Sequence, residues 1–334
     1  MTLAQLQSFL LVARLGSVKA AAAELEVTES AVSVAVASLR KELGDELFVR
    51  DGRAIALTEG GRRLGSLAGE ILGLAEQARR SIPHSTDKPQ PVRVAATSLV
   101  AEHMGPLLDA FTARDPRVEI EIDETSGDAF ADLLENRRTD IALGPHPGPE
   151  RSATIASTPF LRTRLIVVAA PDHPLSGERD IAPAALARER WLIGPAELDP
   201  TTATGRFFAR HELRPRDLAA YASQSAAIAA AAAGEGVLLA LTHSALDELR
   251  RRALIRLDVR GTPVLELWHA STLGLGHALP AALALQRFAC TPEATQAISS
   301  GRAGRLSSRA RPAVHVTLWR SVAAGLDAAN RPLP

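Results

Sequence analysis

The sequence predicts an α plus α/β protein. An all-helical N-terminal unit with the outline of a helix-turn-helix precedes two linked α/β lobes with a cleft between them. Three observations lead there. Over the first 80 residues, apolar side chains recur at three- and four-residue spacing. From Val92 short apolar runs alternate with helical stretches, the β-α-β-α-β order of parallel strands joined by crossover helices. Between the two patterns, residues 81–91 place three prolines among polar neighbours, which reads as a hinge. A length of 334 residues suits two or three compact units, and 46% apolar with 23% charged residues is enough to pack them.

Leu3, Leu6, Phe9, Leu10 and Ala13 form one face of a first helix, which Gly16-Ser17 ends. Ser17 caps a short second helix whose alanines, Ala20 to Ala23, admit a close neighbour. After the turn at Glu26-Val27, Thr28 caps a third helix that stops at Gly44. Val32, Val36, Leu39 and Leu43 fall on one stripe of it, the expected buried side. Three short helices with a tight turn before the third outline a helix-turn-helix. Two apolar runs around Asp51-Gly52 then read as a β-hairpin. Thr58 caps a long helix bearing Leu64, Leu67, Ile71, Leu74, Ala75 and Ala78, more apolar surface than a small domain covers, so a helical partner is expected.

In the α/β part, strands are expected at 92–96, 118–122 and 140–143, with helices at 104–113 and 128–136. A further strand begins at 165–169. The second pass places strands at 191–193, 218–222 and 237–241 around helices at 204–211 and 225–233. Residues 265–270 cross back before a closing helix at 279–289.

Net charge is zero, which argues against a protein that holds nucleic acid by bulk charge. By segment it is 0 over residues 1–90, −5 over 91–298 and +5 over 299–334, so any phosphate attraction depends on local placement. The single cysteine, Cys290, excludes a disulfide framework, a Cys-rich zinc site and a paired-thiol switch. The first residues lack the basic stretch and cleavage site of a secretory signal. Residues 226–241 are mostly alanine and include Glu235, too short and weak to span a bilayer. A soluble cytoplasmic protein with no membrane association is expected. Enzyme chemistry finds no constellation: the nine histidines are dispersed, and neither a metal-ligand triplet nor a nucleophile elbow is present. Gly234-Glu235-Gly236 follows a helix and precedes a strand, the reverse of a dinucleotide fingerprint, and reads as a helix stop.

The ordered set Phe9, Gly16-Ser17, Ala20-Ala21, Leu25 and Val27-Thr28-Glu29-Ser30-Ala31-Val32-Ser33 resembles the helix-turn-helix of the LysR-type transcriptional regulators. Leu39, Glu42-Leu43-Gly44, Leu47-Phe48-Val49-Arg50 and Leu57-Thr58-Glu59-Gly60-Gly61 resemble the wing and linker helix of that family. The resemblance covers roughly residues 1–290 and is strongest over the first 65. It implies a winged helix-turn-helix at 1–58, a dimerising linker helix at 59–80 and a hinge at 81–91. It further implies a periplasmic-binding-protein-like effector domain at 92–290, assembled as a homodimer or homotetramer on promoter inverted repeats of double-stranded DNA. The chain departs from the family pattern in having Glu29-Ser30 where Gln-Pro is common, and in lacking a long polar residue near Val34 or Ala35.

The outward face of the third helix carries Ser30, Val34, Ala37 and Lys41, with Ser33 and Glu29 on its shoulder. Short side chains let such a helix sit deep in the major groove: Val34 and Ala37 against thymine methyls, Ser33 on base or phosphate, Glu29 accepting from cytosine N4. Glu29 equally suits the helix dipole alone. Phosphate contacts are expected from Lys19, Arg40, Arg50 and Arg53, with Ser17 and Thr28 at helix starts, and Arg62 and Arg63 as further contacts or solvated positions.

A small-molecule effector is expected at the strand C-termini, where helix N-termini present free N–H groups. Thr97 and Ser98 mark that position in the first lobe, and Thr201, Thr202 and Thr204 in the second. Thr125, Gly144, His146 and Ser223 also end strands. Thr97 and Ser98 suit an ordinary helix cap equally well. Paired hydroxyls favour a carboxylate or phosphate, while neutral ligands also fit; no cofactor or metal is expected. Residues 291–334 read as a basic, largely disordered extension, either a solvated tail or a DNA-touching arm. A small-molecule-binding protein that uses the N-terminal helices only for oligomerisation is the alternative reading.

Overall fold

The computed structural model describes residues 1–51, 54–81, 90–148, 154–274 and 276–300. The chain forms two compact units, Met1–Lys88 with Asp132–Arg138 in the first and the rest of the chain in the second, so that the helix Phe130–Glu135 spans both.

In the first unit, α1 (Leu3–Leu15) opens with a capping box: the Thr2 hydroxyl accepts from Gln5 N at 3.3 Å, and Gln5 Oε1 accepts from Thr2 N at 2.8 Å. Gly16, at φ 62°, closes it in the left-handed region that glycine enters without steric penalty. Ser17 caps α2 (Val18–Glu24) and Thr28 caps α3 (Glu29–Leu43). An antiparallel wing of β1 (Phe48–Asp51) and β2 (Ala54–Leu57) follows, then α4 (Glu59–Ser81). Thr58 accepts from Gly61 N at 2.8 Å and donates to Asp45 at 2.7 Å, while Asp45 also accepts from Leu47 N at 2.7 Å. These bonds, from Thr58 first and Leu47 second, hold the Asp45 carboxyl below its usual range. Leu6, Phe9, Val12, Val32, Val36, Leu39, Phe48, Leu64 and Ala68 form the core, with the Phe9 and Phe48 rings 5.1 Å apart. Leu43 departs from expectation: its phase on α3 is that of the stripe, yet it is exposed because the core ends at Leu39, one turn earlier. On α4, Leu67, Ile71 and Leu74 stay exposed beside the buried Leu64 and Ala68.

The second unit opens with β3 (Gln90–Ala96), α5 (Ser98–Thr112) and β4 (Val118–Glu124). A 3-10 turn (Gly127–Ala129) leads into α6 (Phe130–Glu135) and β5 (Ile141–Gly144). After β6 (Ile155–Ala169) and a second 3-10 turn (Pro183–Arg188) come β7 (Arg190–Ile193), α7 (Ala203–Arg210) and β8 (Asp217–Ala220). The chain continues through α8 (Gln224–Ala232), β9 (Leu238–Leu241), α9 (Leu246–Arg250) and β10 (Ile255–Arg256). It ends with β11 (Val264–Leu273), α10 (Pro280–Ala289) and α11 (Pro292–Ser300).

The main sheet runs β10-β6-β11-β5-β3-β4, with β9 also on β6. β3 pairs parallel with β4 and β5, as crossover helices require, while β11 pairs antiparallel with β5 and β6. The parallel pair β7–β8 joins through a bridge between Trp191 and Val237. β6 and β11 therefore belong to both lobes: β6 meets β11 from Ile155 to Leu165 and β9 from Leu165 to Val168. β5 and β9, covered on both faces, are buried throughout, as their unbroken apolar runs demand.

Three expectations shift. β6 begins ten residues before the anticipated start. Its first half alternates apolar with Arg and Thr, and Pro159, which donates no ladder bond, sits where the register against Trp268 and His269 slips. α5 begins at Ser98 rather than 104 and carries Pro106 within it. The extension expected from residue 291 begins as an ordered helix: Ala294 and Ile298, four apart, are buried in the main core, and Arg114 both pairs with Glu293 and lies over the Phe288 ring. Residues 301–334, hinge residues 82–89 and Gly52-Arg53 of the hairpin lie outside the described residues.

Ile298→Ala removes a buried side chain from the α11 contact and is expected to cost about 2–4 kcal/mol. Urea unfolding of the full chain measures it; an unchanged midpoint would show that α11 contributes nothing to the core.

Candidate functional sites

On the first unit, the face of α3 turned away from the core presents Glu29, Ser30, Ser33, Val34, Ala37 and Lys41, all exposed; Val34 is 68% exposed in mid-helix. Thr28 is engaged as a cap, accepting from Ala31 N at 3.2 Å and lying 3.3 Å from the Ser30 hydroxyl. Ser17 likewise accepts from Ala20 N. Arg40, expected as a phosphate contact, lies 3.7 Å from the exposed Glu46 and 6.0 Å from the Phe48 ring centre. Arg62 and Arg63 pair with Glu59, and Arg62 also donates to Leu57 O. Lys19 and Lys41 have no ion-pair partner among the described residues and stand in solvent. Arg53 and the side chain of Arg50 lie outside the described residues.

On the second unit, a small open cleft with an enclosed volume of about 20 Å³ lies between the start of α5 and the loop from β7 to α7. Thr97, Ser98, Thr125, Thr201, Thr202 and Thr204 all line it. Three expected residues are elsewhere. Gly144 stands against the Phe130 ring, His146 meets the His269 ring edge-on at 5.1 Å, and Ser223 caps α8 by accepting from Ala226 N. Leu99, Ser126, Gly127, Pro195, Ala196, Glu197, Asp199 and Ala203 complete the lining. Their sequence signal was the loop after β7, which ends a strand and precedes a helix; its threonines stand out in the sequence, its two acids less so.

The hydroxyls differ in what they are free to do. Thr202 is used by the fold: it donates to Glu197 O and Asp199 O, each at 2.7 Å, and accepts from Gly205 N at 3.1 Å. Thr201 donates to Asp199 Oδ1 at 2.6 Å. Thr97 occupies the cap position of α5, yet its side chain makes no cap bond and is 9% exposed. Gly127 permits the close approach of the two rims, because a β-carbon there would stand 2.9 Å from Thr201 Oγ1 and 2.5 Å from Pro145 Cγ.

Two carboxyls shape the electrostatics. Burial opposes ionisation of Asp199, but hydrogen bonds from Ser126 and Thr201 hold it below the usual range. Glu197 is 4% exposed, follows Ala196 in the left-handed region at φ 53°, and is pushed up to about 7 by burial, against hydrogen bonds from Gly194, Gln224 and Thr204. Its side-chain partners are distant, Gln224 Nε2 at 3.4 Å and Thr204 Oγ1 at 3.5 Å. Beneath the rim, Arg206 pairs with the buried Glu266 at 2.6 Å and also donates to Thr201 O. Glu102 on α5 receives N–H bonds from Gln224 at 2.9 Å and Ser225 at 3.1 Å at the start of α8. Among the described residues no group of three or more His, Cys, Asp or Glu is placed to hold a metal, and no helix is long and apolar enough to cross a membrane.

Glu197 makes stability depend on pH. Below the ordinary value of 4.5 both folded and unfolded chains hold its proton; between 4.5 and about 7 the unfolded chain alone releases it. The fold therefore loses stability through that window, by roughly 3 kcal/mol in all. Glu197→Gln is expected to match the parent at low pH and to exceed it progressively up to pH 8. Urea unfolding at pH 4.5 and 8 tests this, and an equal difference at both values rules the assignment out.

Residues 3–62 match the profile of the bacterial regulatory helix-turn-helix proteins of the lysR family, and residues 87–289 match the LysR substrate binding domain. An HTH-type transcriptional regulator of Mycobacterium tuberculosis is 37% identical over 325 residues, spanning 96% of this chain and 100% of the relative. The HTH-type transcriptional regulator CfxR of Cupriavidus necator is 32% identical over 282 residues, 84% of this chain and 88% of CfxR. In fold, full-length OxyR from Pseudomonas aeruginosa aligns with a TM-score of 0.57 at 21% identity, covering 95% of this chain and 98% of that one. The chain belongs to the LysR family of transcriptional regulators, DNA-binding proteins with an effector-binding domain and not enzymes.

Proposed function

We propose that this regulator reads DNA with the exposed face of α3 and is controlled by a small molecule held in the cleft between Thr97 and Thr204. The observation that carries the DNA reading is the standing-out of Val34, with Ser30, Ser33 and Ala37 around it: small side chains on a capped helix let its backbone approach base edges closely. Glu29 faces cytosine or the helix dipole. Lys19 and Lys41 supply phosphate contacts, joined by Arg50 and Arg53 of the wing, and the starts of α2 and α3 at Ser17 and Thr28 bring backbone N–H groups to the same strands.

Leu67, Ile71 and Leu74 on α4 suit the same helix of a second copy, giving a homodimer, or a homotetramer built from two such pairs, on an inverted repeat in the cytoplasm. In the effector domain, an acidic group of the ligand sits at the start of α5, where the Thr97 hydroxyl makes no cap bond and N–H groups are free. Bound ligand favours the closed arrangement of the lobes, and only its differential affinity for that arrangement shifts the spacing of the DNA-reading helices.

The test is capture of sheared genomic DNA by the purified full chain across a salt series. Enriched inverted repeats are expected, bound more weakly as salt rises. Val34→Glu places a charge on the groove-facing side and is expected to abolish specific capture with the fold intact by circular dichroism. Lys19→Ala should weaken binding evenly across sequences and reduce the salt slope by about 1. A folded, oligomeric protein that enriches no site would favour a small-molecule-binding protein whose helices serve only assembly.

A further inference from the structure

We propose that the effector is an amino acid in its zwitterionic form, its carboxylate at the start of α5 and its ammonium at Glu197. The inference rests on the reading of the cleft as the effector site and adds the chemical class of the ligand. The lining residues include no Lys, Arg or His, but do include two acids, Glu197 and Asp199. A polyanion entering this cleft would meet those acids with no side-chain cation to offset them, a costly arrangement once water is excluded. A phosphorylated or multiply carboxylated ligand is therefore disfavoured, although one carboxylate suits the α5 terminus.

The two acids are not equivalent. Asp199 is occupied by Thr201 and Ser126, so its charge is already used within the rim. Glu197 is buried, and the side chains that reach it, Gln224 Nε2 at 3.4 Å and Thr204 Oγ1 at 3.5 Å, do so at the outer limit of hydrogen bonding. With one backbone bond, from Gly194, and two long side-chain bonds, a buried acid gains from a donor that comes close and carries positive charge. Opposite it, Thr97 is a buried residue that lines the same cleft at the cap position of α5, and its side chain makes no cap bond there. One wall thus offers a hydroxyl above helix N–H groups, and the other a carboxyl. An α-amino acid carries the complement of both, and by bonding to both walls it draws the lobes together.

The groups facing Glu197 are Glu102 from α5, whose charge raises it further, Gln224 from α8, Thr204 from α7 and Gly194 at the end of β7. Since the unliganded carboxyl titrates at about 7, an ammonium must displace its proton at low pH. Affinity is then expected to rise about tenfold from pH 6 to pH 8. A ligand that accepts from protonated Glu197, as an anion would, gives the opposite slope.

The experiment is calorimetric titration of the full chain with the twenty L-amino acids, their α-hydroxy-acid counterparts, and phosphoglycolate and succinate as polyanions. At least one amino acid is expected to bind, with its hydroxy acid at least tenfold weaker and the affinity rising toward pH 8. Glu197→Gln, close to isosteric, should lose at least tenfold, and Thr97→Ala should also weaken binding. Should the Gln variant not fold, the pH slope of the parent chain decides the same question. Binding of no amino acid overturns the proposal, as does a slope that falls with pH. If a polyanion binds instead and Thr97→Ala removes it, the cleft remains the effector site and only the ligand class is wrong. If binding ignores both substitutions, the cleft reading fails with it.

Discussion

The antiparallel pairing of β6 with β11 is the constraint on which the effector domain depends. Each strand serves both lobes, so the lobes are joined by backbone hydrogen bonding along the paired strands. The sheet face carries this role in its side chains: Thr163 and Glu266, opposite in register, are both buried, and Glu266 anchors Arg206. Arg206 in turn holds the carbonyl of Thr201, so the rim of the cleft is fastened to the strand pair that supports it. Glu266 is buried while Arg206 is half-exposed, so losing the arginine would leave an unpaired carboxyl in the interior.

The cleft combines features that would conflict in a well-packed interior. A helix start favours negative charge, a buried carboxyl disfavours it, and an alanine held in the left-handed region orients the loop between them. Each is unfavourable or idle without a ligand. A ligand with both an anionic and a cationic group would complement the first two, the basis of discrimination without many contacts.

Much of the fold could be read from the chain because capping residues and apolar period agreed. Thr28 before Val32, Val36 and Leu39, ending at Gly44, left little freedom in placing α3, and β5 and β9 announce themselves as unbroken apolar runs. β6 was shortened because its first half carries Arg162, Arg164, Thr163 and Pro159; its strand character comes from pairing with β11, a partner a hundred residues away in sequence. α11 was hidden for a similar reason, since Ala294 and Ile298 are weak as a local pattern and gain meaning only against α5 and α10. In the cleft, threonines at helix starts were visible because capping is a local rule. Glu197 was not, because its importance comes from burial, and burial of a charged residue is decided by tertiary contacts. Arg40 shows the converse: a basic residue on the recognition helix invites a phosphate contact, while its neighbours in space include Glu46 and Phe48.

Gly127 has a consequence for how such a regulator diverges. Without a β-carbon, it packs beside Pro145 of its own lobe and lets its rim rest against Thr201 of the other side. The aperture of the cleft is thus gauged by a residue that need not touch the ligand. Exchange for even alanine would force Thr201 or Pro145 to shift. A change at this frame residue would alter the spacing of the rims before any change in the polar groups along them.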